Sequence, residues 1–145
     1  MNWDYVAGFV DGEGCFYIYK TANKYFHGRF SIGQTELQIL EELQQFLAEN
    51  AITADISYTS APKSKSTTGM YNLRVTQRYS LKLLCETLIP LLKVKKEAAR
   101  TVLALCYKLD TMIKGVTIEK SEFIENCEML KDYCSSLNKL TAERG

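Results

Sequence analysis

Residues 7–14 read Ala-Gly-Phe-Val-Asp-Gly-Glu-Gly, three glycines and two carboxylates in eight consecutive positions. No other segment limits the fold so strongly. The residues before it have helical spacing, with Asp4 as N-cap and Val6, Phe9 and Val10 following, so the segment reads as the end of a short helix over 4–12 that Gly12 and Gly14 stop. Gly8 and Gly12 lie four apart, on one helix face. A face without Cβ atoms lets another backbone approach closely, so a second helix is expected to pack there. Asp11 and Glu13 fall at the helix C-terminus, where unpaired carbonyls and the macrodipole already concentrate negative potential. Both acids destabilise that end unless a cation offsets them, and hard divalent ions take carboxylate and carbonyl oxygens.

Beyond residue 14 the pattern changes from helical to alternating. Residues 15–21 are aromatic and β-branched and read as a strand, 22–24 as a turn, and 25–34 as a second strand. Residues 35–49 carry Leu37, Leu40, Leu43, Phe46 and Leu47 at helical spacing. A second strand pair, 54–60 and 70–76, flanks a loop over 61–69; helices follow at 78–89, up to Pro90, at 95–109 and at 119–140. The expected architecture is α+β with the order αββαββα, a four-stranded antiparallel sheet bearing helices on one face. The chain, 1–145, reads as a single domain with its core in about 3–110 and C-terminal helices in about 111–145. In the last helix Phe123, Cys127, Leu130, Cys134 and Leu137 form one stripe, expected to pack against the domain.

Period-two alternation leaves one sheet face uncovered. It is predicted to show Tyr17, Tyr19, Thr21, Tyr25, His27, Arg29, Ser31, Ser57, Thr59, Asn72, Arg74 and Thr76, opposite buried Phe16, Ile18, Phe30, Ile32, Leu73 and Val75. Few acids and many hydrogen-bonding groups suit base edges in a DNA major groove, with Arg29 and Arg74 best placed to read guanine. The net charge of +1 is uninformative, but residues 56–100 hold nine bases and two acids. Concentrated positive charge fits an anionic partner, with Lys63 and Lys65 in the loop reaching phosphates.

Several classes are excluded. No apolar run approaches the roughly 20 residues of a membrane span, so no membrane partner is expected. The start, Met1-Asn2-Trp3-Asp4, has neither a basic region nor an apolar signal core, so secretion is not expected. Five cysteines without a C-x-x-C pair point to buried free thiols rather than disulfides or zinc, and the single histidine removes multi-histidine metal sites.

The run Val6-Ala7-Gly8-Phe9-Val10-Asp11-Gly12-Glu13-Gly14 resembles the LAGLIDADG signature of homing endonucleases, and the order of elements over at least residues 3–110 is similar to that family's. The resemblance implies a site-specific double-strand DNA endonuclease that hydrolyses phosphodiester bonds in a long pseudo-palindromic target. Only one copy of the motif is present, and single-motif members of this size are homodimers. A two-fold axis through Gly8 and Gly12, with Asp11 also at the interface, would bring two Glu13 together. The implied cofactor is Mg²⁺, held by the Glu13 carboxylates and the Gly12 carbonyl, with Mn²⁺ or Ca²⁺ able to replace it in binding. The family usually has aspartate where Glu13 stands. By position, Gln34 matches the polar residue that orders water and Lys95 the lysine that approaches the scissile phosphate; Lys93 and Lys96 are close rivals. Such proteins resemble products of mobile introns in organelles, chloroplast or mitochondrion. Two other readings keep the same fold: an RNA maturase that assists intron splicing, and a non-catalytic DNA-binding protein.

Overall fold

A computed structural model describes residues 1–61, 69–112 and 120–144. The element order is α1 (Trp3–Glu13), β1 (Gly14–Thr21), β2 (Tyr25–Gln34), α2 (Leu37–Glu49), β3 (Asp55–Thr59), β4 (Met70–Val75), α3 (Arg78–Leu88), α4 (Lys96–Asp110) and α5 (Lys120–Arg144). The four strands form one antiparallel sheet in the order β1-β2-β4-β3. This is the expected α+β architecture.

Helix α1 starts one residue earlier than its sequence suggests. Asn2, not Asp4, is the N-cap: its backbone is extended (φ −140°) and its side-chain oxygen accepts the Tyr5 N–H at 2.8 Å. Asp4 falls in the first turn, where its charge still complements the helix dipole. Gly12 does not end the helix, because one glycine costs only about 1 kcal/mol within it. Gly14 is the C-cap, and it is glycine for want of space: a Cβ there would lie 2.9 Å from both the Phe30 ring and the Val10 carbonyl oxygen.

The β1–β2 turn places Ala22 and Asn23 in the left-handed region (φ 51° and 58°), with Lys24 N–H donating to Thr21 O at 3.1 Å. After α2, Ile52 N–H donates to Leu47 O at 2.9 Å and Ala51 N–H to Ala48 O at 3.1 Å. These two bonds are a Schellman closure, with Ala51 left-handed (φ 65°) at the position glycine usually fills.

Alternation fixes which way the sheet faces. Phe16, Ile18, Phe30, Ile32, Leu73 and Val75 are buried, each as expected from period two. They join one contiguous core with Val6 and Val10 of α1, Leu40, Leu43 and Leu47 of α2, Leu81, Leu84 and Leu88 of α3, Val102 and Leu105 of α4, and Cys127 and Cys134 of α5.

The α5 stripe packs inward as expected, with Phe123, Cys127 and Cys134 buried and Leu130 and Leu137 partly so. The helix also lies along β1, the outer strand. Asn138 Nδ2 donates at 2.9 Å and Cys134 Sγ at 3.4 Å to the Phe16 carbonyl, while Lys20 pairs with Glu128. The five cysteines are all free thiols, four buried and Cys15 half-buried. Among the described residues no helix is long and apolar enough to cross a membrane.

Candidate active site and nucleic-acid interface

The C-terminal turn of α1 carries both motif acids, and they meet different surroundings. Asp11 was expected at a pairing face with Gly8 and Gly12, but it directs both carboxylate oxygens to its own chain. Oδ2 accepts the Lys93 N–H at 2.8 Å; Oδ1 accepts those of Val94 and Lys95, each at 3.0 Å. Those amides just precede the first turn of α4, whose dipole adds positive potential. The offset expected from a cation is therefore supplied to Asp11 by backbone donors. Glu13 has no such arrangement: it is exposed, and among the described residues it makes no hydrogen bond or ion pair.

The anchored segment brings a lysine to the same place. Lys95, expected as the first residue of a helix over 95–109, is instead the N-cap residue of α4, one position outside it, and its ammonium donates to the Gly14 carbonyl. Gly14 directly follows Glu13. Of the three candidate lysines it is Lys95, half-buried, that reaches the end of α1, while Lys93 is exposed. Gln34 closes β2. The ladder sets Gly14 opposite Ile32, so Gln34 lies two residues beyond the last β1–β2 pair, at the end of the sheet where α1 joins β1. It is half-buried and pairs in register with Tyr71 of β4.

Gly8 and Gly12 are exposed, and a Cβ on either would meet nothing within 4 Å. Nothing among the described residues requires glycine at those positions. Exposed Tyr5, at 50% accessibility, and Val94, at 58%, lie on α1 and on the segment pinned to it.

The uncovered sheet face holds the expected residues in register. Thr21 pairs with Tyr25, Tyr19 with His27, Tyr17 with Arg29, Ser31 with Arg74 and Asn72 with Ser57. Thr59 pairs with Met70 at the far end of β3. Thr76 lies one residue past the end of β4, so it belongs to the turn rather than to the sheet. Lys63 and Lys65 lie outside the described residues. Cys15, Gly33 and Met70 share the parity of this face and follow from period two alone, as does Asp55, which alternates with Ile56 alongside Ser57 and Thr59. Asp55 stands across from Arg74.

The aromatic residues of this face are not independent. Arg29 donates to Tyr19 Oη at 2.8 Å and to Tyr17 Oη at 3.4 Å; Tyr19 stacks on His27 with centroids 5.0 Å apart, and His27 Nε2 is 3.0 Å from Thr21 Oγ1. The Nε atoms of Arg29 and Arg74 are buried without a partner among the described residues.

Burial pushes the Cys15 thiol up, although the nearby Lys95 charge works against this. Cys15 therefore stays protonated beside Gly14. Among the described residues no three acids, histidines or cysteines cluster. Among the described residues, one copy of the chain thus brings a single free carboxylate, Glu13, to the end of α1.

No curated protein matches the chain significantly in sequence. Solved structures do. The homing endonuclease I-CvuI, in complex with an I-CreI target, superposes with a TM-score of 0.70 at 23% identity, over 93% of this chain and 80% of that one. The homing endonuclease I-TnaI gives 0.66 at 22% identity, over 97% and 98%. The archaeal intron-encoded homing endonuclease I-Vdi141I, complexed with DNA, gives 0.63 at 17% identity, over 88% and 95%. A family model, described as LAGLIDADG endonuclease, matches residues 6–99, which take in α1 from Val6 onward, the whole sheet and the anchored lysine. The chain therefore belongs to the LAGLIDADG endonuclease family and is a phosphodiester-hydrolysing nuclease.

Proposed function

We propose that the protein is a homodimeric, Mg²⁺-dependent, site-specific double-strand DNA endonuclease with a long pseudo-palindromic target. The observation that carries this reading is the pairing of an unfilled glycine face on α1 with an unpartnered Glu13 at its end. A second copy docked by two-fold symmetry fills the space beside Gly8 and Gly12 and brings the two Glu13 carboxylates together. The donor set then suits a hard divalent ion: two carboxylates and the terminal carbonyls of two helices, including that of Gly12. When bound, such an ion lowers the pKa of water and stabilises the leaving oxygen. Lys95 places its ammonium where charge develops on the phosphate, and Gln34 offers an amide to orient the attacking water.

The sheet supplies recognition. Strand β1 has 8 residues, about 26 Å at 3.3 Å each, which spans about seven to eight base pairs of duplex. Two symmetry-related sheets and the central step cover about fifteen base pairs or more, with pseudo-palindromy mirroring the protein's axis. An organellar setting rests on the family resemblance alone.

The test is a plasmid bearing the candidate insertion site, incubated with protein and Mg²⁺ and then with EDTA. Linear product with Mg²⁺, absent with EDTA and absent for Glu13→Gln, supports the reading. A site that is bound but never cut overturns it in favour of a non-catalytic DNA binder.

A further inference from the structure

Asp11 is a strongly bonded acid to which the proposed chemistry gives no part. Three successive amides, those of Lys93, Val94 and Lys95, converge on its carboxylate across 82 to 84 residues of sequence. The segment they belong to is irregular chain between α3 and α4, anchored to the core by Leu92, while Lys93 and Val94 are exposed. Little else fixes residues 93–95. At the end of that segment the Lys95 ammonium meets the carbonyl of Gly14, the residue after Glu13.

We infer that Asp11 is a positioning residue for Lys95: its carboxylate holds the backbone of residues 93–95 so that the Lys95 ammonium stands beside Glu13. The inference rests on the proposed nuclease mechanism and assigns the two motif acids separate tasks. Glu13 faces the metal and phosphate, and Asp11 ties the lysine to the same helix end. Three of the roughly four lone-pair sites of the Asp11 carboxylate already accept N–H groups, so at most one, on Oδ2, is left for a metal. Any shift of α1 carries acid and lysine together.

Two measurements test this. In the folded protein, limited acylation of lysine amines read by peptide mass spectrometry needs no nuclease activity. Lys95 is expected to react about tenfold more slowly than Lys93 and Lys96, as one charge-assisted hydrogen bond implies, and Asp11→Asn is expected to erase the difference. On a duplex that the native protein cuts, Asp11→Asn is expected to slow single-turnover cleavage about tenfold with DNA affinity unchanged, and to add no loss in a Lys95→Ala background. Should Asp11→Asn fail to fold, Asp11→Glu keeps both oxygens one methylene further out and is expected to give an intermediate Lys95 reactivity. Unchanged Lys95 reactivity in the folded variant overturns the inference. So do losses from Asp11→Asn and Lys95→Ala that multiply, or cleavage by Asp11→Asn that recovers with excess Mg²⁺, since either makes Asp11 a ligand in its own right. A site that is never cut removes the nuclease mechanism but leaves the acylation result readable.

Discussion

The Arg29 guanidinium donates to the Tyr19 hydroxyl at 2.8 Å and lies over the same ring, its Cζ 4.5 Å from the centroid. Tyr17 holds it from the other side more loosely, at 3.4 Å. An arginine so restrained has little further side-chain entropy to lose, so under the proposed function it is expected to sharpen discrimination at one step of a target.

Tyr19→Phe keeps the ring and removes the acceptor. Folding stability is expected to fall by no more than about 1 kcal/mol, as for one partly exposed neutral hydrogen bond. Discrimination at the base pair that Arg29 reads is expected to relax by about tenfold, measured by competitive binding to duplexes varied at each position.

Gly8→Leu tests the pairing face. Space around the Gly8 Cβ position is open, and leucine favours helix over glycine by up to about 1 kcal/mol, so the monomer is expected to be at least as stable. The dimer is expected to be lost, with cleavage lost alongside it. Sedimentation velocity beside a thermal melt separates the two effects.

Ala51→Gly acts on the α2 closure alone. Ala51 is exposed and left-handed, so no packing is removed and a strained backbone is relieved. The greater freedom of glycine in the unfolded chain takes back part of the gain. A net stabilisation of about 0.5–1 kcal/mol is expected, read from the urea midpoint at unchanged slope.

Alkaline pH is expected to unfold the protein through its thiols. Burial pushes Cys134 up to about 12 and Cys106 up to about 11. In the unfolded chain a thiol ionises near about 8.5, so the unfolded state releases its proton first. Stability is therefore fully present below about pH 8.5 and is lost as pH rises toward those folded values. One such thiol accounts for about 2 kcal/mol by pH 10. Urea midpoints are expected to drop between about pH 8 and 10, with a shallower slope in Cys134→Ala.

The sheet was the legible part of this chain, because its register is a matter of parity. Once 15–21 and 25–34 alternate, Tyr17, Tyr19, His27 and Arg29 must share a face, and they do. Helix limits were less legible. Asn2 and Asp4 are equally good caps by residue type, and only the extended backbone at Asn2 decides between them. The site divided along the same line. Glu13 and the glycine face follow from a local motif. The choice of Lys95 over Lys93 and Lys96 depends on Asp11 bonding chain more than 80 residues away, in a segment without periodicity. No local pattern encodes that meeting.

The stitching of α5 along β1 also decides where this sheet can be extended. Asn138 and Cys134 occupy the Phe16 carbonyl that an incoming strand would need. Strand addition is thus steered to the opposite margin, where β3 offers five residues led by Asp55, a short and charged ribbon that makes a poor template for self-association.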